Sequence, residues 1–531
     1  MNRWLRAGLS IALALLLGAC ATLPKDVVRA PSQAIPASID TDLGRIAAAS
    51  TPAGIEAGAS GFRLLSWSAQ SLFARVELAR RAQRSLDLQY YELHDDETGR
   101  LLMRTLRDAA QRGVRVRLLL DDLYTAGSDP VLRALAAYPN VELRLFNPFP
   151  MGRGNLSTRL AASLLDFSRV NHRMHNKLFI ADGAMAVAGG RNIGNEYFMV
   201  GEDANYIDLD VFALGPVVPQ LAALFDEYWN SEYAYPIEAI VRDDDSPLEQ
   251  QRRFVAWTDP ARAPPPPPPE PGATDALEQQ HLHEELVLER LELVWARAEA
   301  FADRPDKVIN HAPHLLGRPI ERDTTVRHGL MRELLLARKE VLLSSPYFVP
   351  NADVIEDIRE GRLWGLQITI ITNSLASTDE PLVHAGYRRY RREIVDLGVQ
   401  LYEIVPSRIA HAKKLGPFGR SIGRFHAKAA AVDGQVLFIG SLNFDPRSEK
   451  HNTELGLLIR SPQLTQQLMQ LAELVQNEAA YRVRLSKDKQ NLEWVLPTPE
   501  GEQVLTEEPD SSWWTRLWLR ILGPLVPEDA L

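Results

Sequence analysis

"HNKLFIADG" occupies residues 175–183 and "HAKAAAVDG" occupies residues 426–434. Each begins His-x-Lys and reaches Asp-Gly after the same gap. Asp-Gly at 182–183 and 433–434 is a strong hairpin signal, because both turn positions need positive φ. The apolar residues before each turn read as a strand. Side chains alternate along a strand, so His175 shares a face with Lys177, and His426 with Lys428. The return strands "AMAVAGG" and "QVLFIG" deliver "GGRN" (189–192) and "GSLN" (440–443). Small residues there let the backbone approach a ligand, and Asn192 and Asn443 add amide donors. Each copy thus offers an imidazole, an ammonium and an amide, a set that suits a tetrahedral oxyanion such as phosphate. Asp182 and Asp433 read as structural turn residues rather than partners of the histidines.

The segments around the motifs also repeat. "SLFARVELARRAQ" reads as a helix leading to the strand "SLDLQYY", and "HGLMRELLLARKE" leads to "VLLSSPYF". "GVRVRLLLD" matches "GLQITIITN", and "NVELRLFNPF" matches "GVQLYEIVPS". Helices alternating with short β-branched runs predict an α/β fold. The expected architecture is two duplicated domains, each a mostly parallel mixed sheet flanked by helices. They are expected to be related by a pseudo-twofold axis, with one active site between them.

His-x-Lys, four residues and Asp, then Gly-Gly/Ser-x-Asn, twice in one chain, resembles the phospholipase D superfamily. The stretch "NHRMHNKLFIADGAMAVAGGRNIGNEYF", with "LLLDDLYTAGSD" and "RLFNPF" upstream, is similar to bacterial cardiolipin synthases of the C type. The resemblance covers residues 60 to 495. It implies a phosphatidyltransferase that moves a phosphatidyl group onto phosphatidylglycerol through a phosphohistidine, with phosphatidylethanolamine as a possible donor. It implies His175 as nucleophile and His426 as general acid, with Lys177, Lys428, Asn192 and Asn443 around the phosphoryl oxygens. It further implies acids that orient the imidazoles, here Asp208 in "IDLDVFALGP" and Glu454 in "TELGLLIRSP". Arg173, Arg191, Arg424 and Arg447 lie near the motifs, suited either to a second lipid phosphate or to structural roles. No cofactor and no metal is expected. His281, His283 and Glu284 read as a solvated face, since no further ligand has metal spacing nearby. A hydrolytic phospholipase D would share every one of these residues. A nuclease and an inactive membrane-anchored scaffold are the more distant alternatives.

The chain has 531 residues, 45% hydrophobic and 24% charged, enough for more than one core. Its net charge of −10 disfavours nucleic acid as a partner. Arg3 and Arg6 precede the apolar run "AGLSIALALLLGA", which ends at Cys20, the only cysteine. This resembles a lipoprotein signal peptide (1–19) with lipidation on Cys20, implying a lipid anchor on the periplasmic side of a bacterial envelope membrane. The expected order is then a tether (20–60) and a first domain (61–240). A linker with a polyproline run and a charged helix follows (241–315), then a second domain (316–495) and a tail (496–531). The tail's "SSWWTRLWLRILGPLVP" reads either as an interfacial membrane helix or as a helix packed on the protein's own core. The basic loop "HAKKLGPFG" from His411 lacks the motif's Asp and is expected near the site mouth. Phospholipids and a membrane surface are the expected partners; an accessory protein is not legible.

Overall fold

The computed structural model describes residues 23–162, 166–265, 275–279, 282–308, 325–498, 501–523 and 526. The signal segment, Cys20, His281 and most of the polyproline run lie outside these residues. In the first half the strands are β1 (Ala59–Leu65), β2 (Ser85–Tyr90), β3 (Arg115–Asp121), β4 (Val141–Phe146) and β5 (Leu178–Ala181). They continue as β6 (Met185–Gly189), β7 (Ala204–Ile207), β8 (Asp210–Leu214) and β9 (Ala234–Pro236). The second half holds β10 (Val294–Ala302), β11 (Glu340–Ser344), β12 (Gln367–Asn373), β13 (Gln400–Ile404), β14 (Ile422–Phe425) and β15 (Ala429–Val432). It ends with β16 (Val436–Gly440), β17 (Leu455–Arg460), β18 (Ala480–Leu485), β19 (Leu492–Thr498) and β20 (Gly501–Leu505).

Eighteen of these form one continuous sheet. From one edge the order is β9-β4-β3-β2-β5-β6-β8-β1, and β1 pairs with β10. The second half then runs β10-β17-β16-β15-β11-β12-β13-β18-β19-β20. Read outward from the β1–β10 pair, the two halves have the same order, as a pseudo-twofold duplication requires. β2, β3 and β4 are mutually parallel, as are β11, β12 and β13, and the remaining neighbours in the sheet are antiparallel. One buried apolar cluster draws on both halves, with Phe62, Ile180 and Val211 beside Ala431, Leu437 and Leu457. Each fully buried side chain of this kind is worth about 1.5–3 kcal/mol, and so large an apolar contact disfavours relative motion of the halves.

The structure corrects several boundaries. The charged helix expected between the halves is only Leu282–Val287, and it gives way to β10. Pairing with β1 and β17 overrides the helical propensity of this Glu- and Ala-rich stretch, because β10 is the second half's counterpart of β1. The same region holds a helix at Pro247–Trp257, closed by a Ser246–Glu249 capping box, whose Phe254 is buried against Tyr138 of the first half. The tether is also shorter than expected. Arg29 Nε donates to the Ala234 carbonyl and the Ala34 amide to Asp226. A helix at Asp42–Ser50 then buries Leu43 and Ile46, whose spacing makes one apolar stripe. At the other end, the β19–β20 hairpin prolongs the sheet to Leu505, within the expected tail.

Candidate active site

Both histidines stand at the entry to the strand that carries their motif. The Asp-Gly turns adopt positive φ at all four residues, 51° and 62° at Asp182 and Gly183, and 53° and 65° at Asp433 and Gly434. Asp182 accepts hydrogen bonds from the backbone amides of Gln83, Arg84 and Ser85, and Asp433 from those of Arg338, Lys339 and Glu340. These carboxylates pin the starts of β2 and β11, which run antiparallel to the motif strands, at the end of the hairpin remote from the imidazoles.

The catalytic ends meet across the halves. β14 runs parallel to β7 with Phe425 opposite Ile207, so His426 falls beside Asp208. A bridge between Met174 and Thr453 likewise brings His175 beside Glu454. The backbone amides of His426 and His175 donate to the Ile207 and Thr453 carbonyls at 2.7 and 2.9 Å. In consequence His426 Nδ1 lies 2.6 Å from Asp208 Oδ2, and His175 Nδ1 lies 2.9 Å from Glu454 Oε2. A carboxylate at Nδ1 places the proton there and leaves the Nε2 lone pair for chemistry. Gly190 leaves room for Asp208, where a Cβ would collide with its carboxylate. At the matching place in the second half, Ser441 donates to Glu454.

Lys177 and Lys428 are fully buried. Lys177 Nζ donates to the His175 carbonyl at 2.6 Å, and Lys428 Nζ to that of His426 at 2.6 Å. Lys428 also sits 3.0 and 3.2 Å from the two nitrogens of His426. Burial pushes Lys177 down to about 7 and Lys428 to about 8. Burial, then the charges of Lys177 and Lys428, holds His175 well below its ordinary value. His426 is lowered by burial and Lys428, with Asp208 pulling the other way. Burial works to raise Asp208, but His426 and Lys428 outweigh it and keep it ionised; burial lifts Glu454 to about 7. The halves are therefore unequal: the acid behind His426 is kept ionised, whereas burial lifts the acid behind His175 to about 7, and both imidazoles are lowered by burial.

The amides differ too. Asn192 Nδ2 donates to the Tyr197 hydroxyl at 2.9 Å, while Asn443 Oδ1 has no protein partner. Arg173 and Arg191 serve structure: Arg173 pairs with Asp121 and the Asn147 carbonyl, Arg191 with Asp210 and the Leu65 carbonyl. Arg447 is half-buried, holds Asn171, and projects its charge onto Tyr91 and Tyr124; Arg424 bonds Tyr206. In the His411 loop, Leu415 and Phe418 are buried while Lys413 and Lys414 are exposed.

Sequence reasoning missed a ring of tyrosines and acids. Tyr91 packs edge-on to His175 at 5.0 Å, and Tyr206 lies 5.0 Å from His426. Asp379 accepts from both Tyr206 and Tyr347. Burial alone would raise Glu92, but His94 at 3.1 Å, Lys177 and His426 lower it. Tyr91, Glu92, Tyr347 and Asp379 follow the C-terminal ends of parallel strands, where α/β sheets bind ligands, and that rule was the available signal. Among the described residues no three His, Cys, Asp or Glu side chains gather as metal ligands.

The family described as cardiolipin synthase, phospholipase D-like domain, matches residues 76–229 and 330–474, one copy in each half. The chain belongs to the phospholipase D-like cardiolipin synthase family. Cardiolipin synthase C of Escherichia coli K12 is 38% identical over 486 residues, covering 89% of this chain and 96% of that one. An uncharacterized Helicobacter pylori protein is 30% identical over 498 residues, covering 88% and 89%. The crystal structure of phosphatidylserine synthase from Haemophilus influenzae Rd KW20 matches 88% of this chain and 93% of its own. Its TM-score is 0.54 at 14% identity, a likeness that shows the fold alone. The duplication expected from the paired motifs is thus the family's own architecture in this chain.

Proposed function

We propose that this chain is a phosphatidyltransferase that makes cardiolipin, with phosphatidylglycerol as acceptor. The observation that carries this is the composite site, two His-Lys pairs each completed by the other half's acid, in a member of the cardiolipin synthase family. His175 Nε2 attacks phosphorus, and the bond to the donor's headgroup oxygen breaks as His426 delivers a proton to that oxygen. The phosphatidyl group is then held as a phosphohistidine. A hydroxyl of phosphatidylglycerol gives its proton to His426 and attacks phosphorus, and the P–N bond breaks. Lys177, Lys428 and Asn443 bear the charge on the phosphoryl oxygens. Asn192 steadies Tyr197 and the pocket wall.

The ring of Tyr91, Tyr124, Tyr206 and Tyr347 with Glu92 and Asp379 suits an ammonium headgroup, which supports phosphatidylethanolamine as donor. The Trp-rich helix Trp513–Leu522 supports action at a membrane surface. Its Leu519 is buried against Leu375 and Ala385, while Trp513, Trp514, Trp518 and Ile521 are 45–64% exposed. No helix among the described residues is long and apolar enough to cross a membrane. Lipidation at Cys20 and a periplasmic position belong to the same reading.

The test supplies mixed vesicles of phosphatidylethanolamine and phosphatidylglycerol and follows products by mass spectrometry. Cardiolipin should exceed phosphatidic acid, and omitting phosphatidylglycerol should end cardiolipin formation. Phosphatidic acid dominating whatever alcohol is offered would make the enzyme a hydrolase.

A further inference from the structure

The ribbon of β14 and β7 leads outward from His426 and Asp208. Side chains alternate along β14, so Arg424 and Ile422 share the face of His426, while Gly423 and Phe425 turn into the protein. Arg424 stands opposite Tyr206 and bonds its hydroxyl, and the Tyr206 ring lies 5.0 Å from His426. Two residues of strand set Arg424 about 7 Å from His426. Ile422 comes next and is 43% exposed. From the reaction centre to the surface, the ribbon presents an imidazole, a guanidinium and an apolar side chain.

Arg424 is half-buried, and it forms no ion pair with any of the described residues. Its Nε is buried without a hydrogen-bond partner, an arrangement that costs free energy until an acceptor arrives. The nearby Asp379 is occupied by the hydroxyls of Tyr206 and Tyr347, and Glu196 feels the charge of Arg424 from beyond ion-pair distance. The duplication supplies an internal reference. Arg173, likewise two residues before its histidine, is fully buried and pairs with Asp121 and the Asn147 carbonyl. Asn171, in the place of Ile422, accepts from Arg447, and His172 meets His451 at 3.0 Å. One half therefore ties its arginine into the fold and bridges the outer end of its ribbon. The other leaves the guanidinium without a counter-ion, beside the histidine that handles the alcohols.

We infer that Arg424 selects the acceptor, by holding the phosphodiester of the lipid whose hydroxyl enters at His426. This rests on the transferase reading, in which that hydroxyl gives its proton to His426. Three glycerol carbons separate the hydroxyl from the acceptor's own phosphate, a reach comparable with the step from His426 to Arg424. Beyond the phosphate, the acyl chains leave past Ile422 toward the surface. A guanidinium offers the phosphodiester two parallel donors. Water has no phosphate to offer it, so this contact favours the lipid alcohol over hydrolysis.

The full-length protein in detergent is given phosphatidylethanolamine as donor, with either glycerophosphoglycerol or glycerol as acceptor. Both offer a glycerol hydroxyl, and only the first carries a phosphodiester. Mass spectrometry follows transfer to each alcohol, and phosphatidic acid reports transfer to water. The wild type should prefer glycerophosphoglycerol in kcat/KM, chiefly through KM. Arg424→Gln should cut that preference about ten-fold, the size of a hydrogen bond to a charged group, and raise the share of phosphatidic acid. Arg424→Lys should lose part of the preference, and it serves as the test should the glutamine variant not fold. No preference in the wild type, an equal loss with both alcohols in Arg424→Gln, or an unchanged preference in Arg424→Lys overturns the inference alone. A wild type that forms only phosphatidic acid beside either alcohol overturns the transferase reading and this inference with it.

Discussion

His175 of the first half is held by Glu454 of the second, at 2.9 Å, and His426 of the second half by Asp208 of the first, at 2.6 Å. Neither repeat contains a complete His-carboxylate pair of its own. The roles can therefore be separated by leaving group. Asp208→Asn weakens the acid, His426, and should lower turnover of natural lipids by about 10²–10⁴-fold. A p-nitrophenyl phosphodiester needs no proton on its leaving group and should recover most of that loss. Glu454→Gln weakens the nucleophile and should recover nothing. Equal rescue of both variants would reverse or erase the assignment.

His175→Ala and His426→Ala should each abolish cardiolipin formation, and the double variant should be little worse, because the residues act as one unit. Acid-quenched reactions with labelled donor should place label on His175 alone. Peptide mapping that finds it on His426 would exchange the two roles.

The pH profile should reflect the buried lysines. Lys177 and Lys428, lowered by burial to about 7 and 8, hold an anionic phosphodiester only when protonated. Their help is present below these values and is lost as pH rises through them. His175, depressed by burial, keeps its attacking lone pair down to well below pH 6.5. We expect kcat/KM to fall across pH 7–8 and the ascending limb to lie below 6.5. The coupled site will show limbs that belong to the group rather than to single residues. A plateau to pH 10 would exclude this origin.

Packing around the acid makes a sharper prediction than its chemistry alone. Gly190→Ala sets a methyl group against Asp208 and should displace it from His426. Activity should fall at least ten-fold with a modest change in Tm. Asp182→Ala should do the opposite. It leaves the backbone amides of Gln83, Arg84 and buried Ser85 without their acceptor and should cost about 1–3 kcal/mol, while activity per folded molecule stays near wild type. Thermal melts beside specific activity distinguish the two.

The exposed indoles should govern adsorption. Trp514→Glu with Trp518→Glu should reduce sedimentation with anionic vesicles, while turnover of a soluble phosphodiester remains unchanged. Loss of turnover on the soluble substrate would mean that the helix supports the fold instead.

Much of this protein is written locally. Asp-Gly demands a left-handed turn, alternation sets His175 beside Lys177 and His426 beside Lys428, and repeated helix–strand signals announce two α/β halves. Those features depend on a few neighbouring residues, so the sequence alone determined them. The resemblance pointed to Asp208 and Glu454 as the orienting acids, but which imidazole each one meets was not legible, because the register of β7 against β14 and of Met174 against Thr453 joins residues more than two hundred positions apart. β10 was hidden for the same reason: its Glu- and Ala-rich residues favour a helix in isolation, and only the open edges of β1 and β17 make it a strand. The unequal acidities of Asp208 and Glu454 arise from burial and from lysines brought in by the fold. Tertiary structure decided all of these, since each is set by contacts between surfaces that no local pattern encodes.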